Sequence, residues 1–148
     1  MSTSLTHSPA DVIRWLLVSG SLGTNPSLGL TWPIYASDDP DLPDDLMTVY
    51  DTAGVTQGRL QETGETAEHR GVMVQIRGID QPTTWAKADA VRAYLDESVH
   101  NEIITVGGSQ YVVHAVTRKS GPISLGREPT TSRFLFTLNA VVSLRQIA

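Results

Sequence analysis

The sequence predicts an α+β fold: a mostly antiparallel β-sheet flanked by two main helices. Three observations predict it. Two segments repeat their apolar residues at helical spacing, most other apolar runs are short or alternating and rich in β-branched residues, and a Gly-Gly pair joins two of those runs as a hairpin. One domain spans residues 1–148, a length that buries about 68–70% of its unfolded surface and so supports a single core.

Taken in order, the first helix is expected over residues 8–19. Ser8 can cap it, Pro9 suits the first helical position, and Asp11 stands where a first-turn acid is favourable. Val12, Ile13, Leu16 and Leu17 form its apolar stripe, and Gly20 ends it. Residues 19–29, rich in Gly, Ser, Asn and Pro, read as loop. Trp32-Pro33-Ile34-Tyr35 reads as a short strand, with Pro33 placing it at an edge or a strand start. Residues 37–45 carry five acids and two prolines and read as an exposed connection to a strand at 46–50.

Residues 52–69 are polar and glycine-bearing, the pattern of either a mobile loop or a hairpin arm. A strand at 71–78 follows, with Val72, Val74 and Ile76 on one face. A second helix at about 82–98 has Trp85, Ala88, Val91 (or Arg92), Leu95 and Val99 at helical spacing. Residues 103–106 and 110–117 form a hairpin across Gly107-Gly108. A short strand at 123–125 and a long one at 132–144, which offers an edge to a neighbour's sheet, complete the chain.

Composition narrows the function classes. With 40% hydrophobic and 18% charged residues the chain is an ordinary globular one, and with no cysteine it has no disulfide, thiolate metal site or cysteine nucleophile. The first apolar stretch is short and interrupted by Arg14, and no run approaches a bilayer span, so neither export nor membrane insertion is expected. The net charge of −5 is unevenly distributed: ten acids face two bases in residues 1–69, whereas nine bases face six acids in 70–148. Such asymmetry either solvates separate surfaces or brings the acidic face of one copy against the basic face of the next.

A search for chemistry returns no catalytic, cofactor or metal residue. His7, His69, His100 and His114 lack metal-ligand spacing, and no G-x-S-x-G elbow exists. Gly20-Ser21-Leu22-Gly23 follows a helix instead of opening one, which makes it a poor phosphate cradle. The run Asp38-Asp39-Pro40-Asp41-Leu42-Pro43-Asp44-Asp45 has hard oxygen donors for calcium, but it lacks an EF-hand's mid-loop glycine and distal glutamate and reads as a solvated loop. Basic residues are scattered, with only Arg118 and Lys119 adjacent, so no stripe exists to neutralise several phosphates.

Together the segments follow a recognisable order. A capped helix with Trp15-Leu16 leads to Trp32-Pro33-Ile34-Tyr35, then Leu42-Pro43-Asp44 and Val49-Tyr50-Asp51-Thr52. His69-Arg70-Gly71-Val72 opens a strand that closes on Ile76-Arg77-Gly78. The amphipathic helix, Asn101, Leu125-Gly126, Arg133-Phe134 and Asn139 follow. Over nearly the whole chain this order resembles the minor capsid or tail-terminator family of long-tailed bacteriophages. It departs from that pattern after Gly126, where Arg127 stands in place of an acid and Glu128 follows.

The resemblance implies a non-enzymatic virion protein, assembled in the host bacterial cytoplasm as a homo-oligomer, usually a hexameric ring. That ring sits on the head-proximal end of the tail tube, stops tube polymerisation and receives the head-completion or connector proteins. Its partners are thus its own copies, the tail tube protein and a head-completion protein. Genomic DNA passes through without sequence-specific binding, for which a net negative chain is suited. The expected assembly contacts are Arg59, Glu62, Glu65, Glu68, Arg70, Arg127 and Arg133. Alternative readings are a head–tail adaptor of the neck and, more remotely, a small ligand-binding domain or enzyme whose site forms only on folding.

Overall fold

The computed structural model describes residues 5–28, 31–59 and 66–147, with backbone alone at 53–59 and 66–68. Helix α1 spans Pro9–Ser19, and the Ser8 side chain accepts a hydrogen bond from the Asp11 amide, so the predicted cap forms. Ala10, Val12, Ile13, Leu16 and Leu17 are fully buried on its inner face. Each of the four larger ones contributes about 1.5–3 kcal/mol by leaving water. Gly20 closes the helix at a φ of −80°, so left-handed geometry is not what requires glycine there. The Tyr94 ring lies so near that a Cβ on Gly20 would stand 2.5 Å from its Cζ.

Helix α2 spans Gln81–Glu97, capped by Asp80, which accepts from the Thr83 amide at 3.0 Å. Its inward stripe is Thr84, Ala88, Val91 and Leu95. This corrects the expectation at Trp85, which is 43% exposed, its ring against Phe136 at the margin of the helix. Packing decides between these neighbours. Gly78 has no side chain, and the strand end approaches α2 so closely that a Cβ there would meet Thr84 Oγ1 at 2.1 Å; a small residue must therefore face inward.

Six strands form one sheet in the order β1-β2-β3-β6-β5-β4: β1 Ile34–Ala36, β2 Leu46–Arg59, β3 Thr66–Gly78, β4 Glu102–Val106, β5 Ser109–Arg127 and β6 Phe134–Gln146. Every pairing is antiparallel except β1 with β2. Both helices pack on one face over a core that includes Val72, Val74, Ile76, Phe136, Leu138 and Val142. The expected α+β architecture is therefore the observed one.

Several strand expectations change in detail. Of the two readings for 52–69, the arm agrees with the antiparallel backbone pairing of Val55 with His69 and Arg59 with Thr66; residues 60–65 lie outside the described residues. Residues 123–125 are not a separate strand but part of β5, which is interrupted by register shifts. At one of these Gly121 adopts a φ of +97° and presses on the Thr137 carbonyl, a position where a Cβ would stand 2.4 Å from that oxygen. The long last strand offers no free edge. β6 is central, paired with β3 on one side and β5 on the other along nearly its whole length. Gly107-Gly108 forms the two-residue turn between β4 and β5, with Gly107 at a φ of +58°.

Candidate assembly surface

The sheet face opposite the helices is covered in part by residues 38–45, and two buried arginines hold them there. Arg77 is 1% exposed on β3, its side chain on the face opposite Val74 and Ile76. Its Nη1 donates to Asp39 Oδ1 at 2.9 Å, and its Nε donates to the Asp44 carbonyl at 3.2 Å. Nη2 serves the carbonyls of Pro40, Asp41 and Pro43 at 2.8, 3.2 and 2.7 Å. The planar guanidinium thus gathers four loop carbonyls and one carboxylate, which an ammonium group with three clustered donors is not shaped to do.

Arg133 is the second anchor, 4% exposed just before β6. It donates to the Asp41 carbonyl and, through Nε, to Glu128 Oε1 at 2.8 Å; Asp44 stands 3.5 Å from its Nη1. Burial acts to lower its pKa, and the pairing with Glu128, Asp41 and Asp44 more than offsets this, so the net shift is upward. The Glu128 carboxyl is held below the usual glutamate range, first by the Thr131 hydroxyl and then by Arg133. Residues 38–45 are mostly exposed, as expected, yet their carboxylates and carbonyls are structural ligands of two arginines. Among the described residues no group of three or more His, Asp or Glu side chains is placed to hold a metal ion.

The two sides of the sheet are notched at opposite ends. On one side, β4 covers only residues 109–113 of β5. Among the described residues no strand runs beside 115–127 on that side. On the other side, β1 covers only 47–49 of β2, and no described strand runs beside 50–59. The registers Leu46↔Arg77, Arg77↔Leu135 and Leu135↔Gly126 put β1 and the free part of β5 at the same end of the sheet. The β4 strand and the free part of β2 lie at the other end.

Charge differs between the two sides of the molecule, although the free stretch of β2 itself carries one acid, Asp51, and one base, Arg59. Residues 34–51 hold six acids and no base, so acids remain in excess even with Arg77 and Arg133 counted against them. The free stretch of β5 holds Arg118, Lys119 and Arg127 and no acid. Arg118 is engaged by Asp96 at 3.1 Å, and Arg127 lies over the Phe134 ring at 5.0 Å. Exposed apolar residues gather along this end: Ile123 at 44%, Leu125 at 57% and Ile79 at 50% exposure.

Of the seven residues expected at the contact, the five that are described do not converge. Arg59 and Glu68 sit in the paired backbone of the β2–β3 arm, and Glu62 and Glu65 lie outside the described residues. Arg70 is half-buried on β3 opposite Val142. Arg127 and Arg133 stand at the far end, about 26 Å away along the strands. Arg133 is turned inward onto the chain's own loop. The residues that organise this end and escaped sequence reasoning are Arg77, Ile123 and Leu125. Arg77 carried a faint signal, a charge in an alternating strand downstream of an acidic run, but it reads equally well as a solvent-facing position.

No helix among the described residues is long and apolar enough to cross a membrane. No family model matches this chain, and neither does any curated protein. One solved structure that matches it carries no functional description and is 13% identical, covering 79% of this chain and 82% of its own, with a TM-score of 0.44. A likeness at that level carries no argument about function.

Proposed function

We propose that this chain is a structural subunit that associates head-to-tail into a closed ring, and that the ring caps the head-proximal end of a phage tail tube. The observation that carries the reading is the pair of free sheet edges, notched at opposite ends so that the strand protruding on one side matches the gap on the other. Identical edges would favour a two-fold dimer. Two different edges that complement one another instead favour a heterologous contact, which closes into a ring when the rotation per subunit divides a full turn. Free edges of this kind are also a hazard unless a partner covers them. The resemblance of the sequence to tail terminators supplies the tube and the head as the ring's neighbours. The central strand β6 takes no part in the contact, since both its edges are filled within the chain.

Negative-stain imaging with light scattering, on the purified chain alone and with assembled tail tubes, tests this reading. Closed rings, or density capping one tube end, are the expected result. A chain that stays monomeric and leaves tubes uncapped overturns it, and binding to completed heads instead of tubes assigns it to the neck.

A further inference from the structure

We infer that residues 122–127 of one copy seat in a mostly apolar cavity, lined in part by Asp44 and Asp45, beside β1 of the next copy, forming a lap joint; this rests on the head-to-tail reading. The cavity is about 610 Å3, and Trp32, Pro33, Pro43, Ile79, Asp44 and Asp45 are among the residues that line it. It lies at the end of the sheet where β5 is bare. Continuing the sheet from one copy to the next brings the β1 side of the second copy to the notch beside 115–127 of the first. The same step brings β4 of the first copy to the notch beside 50–59 of the second. Each protruding strand meets a gap of matching position.

The chemistry agrees with the shape. Ile123 and Leu125 are large aliphatic side chains left about half in water, and an apolar cavity is what would remove them from it. Arg127 ends the same segment and meets the side of the molecule that carries Asp44 and Asp45. Side chains, not a continued ladder, make the contact at β1, because the Ile34 amide already donates to the Thr24 carbonyl at 3.0 Å. A second copy is the occupant because the complementary segment, the opposite charge and the matching notch all belong to this chain.

The chain has no cysteine, so an engineered pair reports the joint directly. Thr31 lines the cavity beside β1 and Leu125 lies on β5, with β2, β3 and β6 between them in one copy, so a crosslink within a copy would show as a monomer and one between copies as a multimer. Mild oxidation of the Thr31→Cys/Leu125→Cys variant with diamide should give a ladder of covalent multimers on a non-reducing gel, while mixed single variants stop at dimers. Ile123→Asp with Leu125→Asp should weaken association on the order of a hundredfold while the monomer still unfolds cooperatively, at a somewhat lower midpoint. Rings seen by light scattering without a ladder, or undiminished by the two aspartates, place the contact elsewhere and leave the head-to-tail reading standing. A chain that remains monomeric alone and with tail tubes overturns both.

Discussion

At the scale of the residue, the fold turns on arginines that carry structure and not surface charge. Arg77 satisfies four carbonyls and a carboxylate from a loop that has almost no apolar anchor of its own. Replacing it with Met keeps the volume and removes the donors, leaving those oxygens to find water. Arg77→Met should cost about 2–4 kcal/mol in urea unfolding, and Arg77→Lys should recover only part of that. Glu128 gives a pH dependence with a definite sign. Its folded pKa is depressed by Thr131 and Arg133, so the ionised form is favoured in the fold. That stability is fully present above the ordinary glutamate value, about 4.3, and is lost as pH falls through the lower folded value. Stability measured from pH 6 down to 3 should fall less steeply for Glu128→Gln than for the unaltered chain.

At the scale of the element, periodicity located the pieces and packing corrected their faces. The helical repeat found α2, but α2 turns Thr84 inward and leaves Trp85 at the margin, because the close approach of Gly78 admits only a small side chain. Trp85 and Thr84 are adjacent in sequence, so spacing alone fits either stripe. The polar 52–69 region shows how little pattern a hairpin needs: β2 and β3 continue into it through backbone pairing, with register shifts and few large apolar residues. β5 shows the reverse case. Gly121 and Pro122 look like breakers, yet the strand runs on to Arg127 by taking its irregularities as bulges against β6.

At the scale of the whole molecule, charge asymmetry between the two halves of the chain becomes asymmetry between the β1 side and the β5 side of one sheet. The acid-rich β1 side and the basic stretch of β5 lie on opposite sides, so the proposed joint between copies would bring unlike charges together. Rim charges of this kind mainly steer encounter and are screened by salt. Raising ionic strength from about 0.05 to 0.5 M should weaken self-association by on the order of tenfold and slow its rate, read by sedimentation velocity and stopped-flow scattering. An association indifferent to salt would leave the apolar part of the joint as its whole basis.

The sequence by itself determined the class of the fold, the two helices with the Ser8 cap of the first, and the β4–β5 turn, and it left 52–69 as either a loop or an arm. These are local consequences of capping, turn geometry and hydrophobic period. It could not determine which strand is central, because 132–144 reads the same whether it is paired on one side or two. Nor could it show that Arg77 and Arg133, far apart in the chain, close on the same loop, or that Ile123, Leu125 and Ile79 come to one end of the molecule. Those facts belong to tertiary structure, since strand order brings together residues that no spacing along the chain relates.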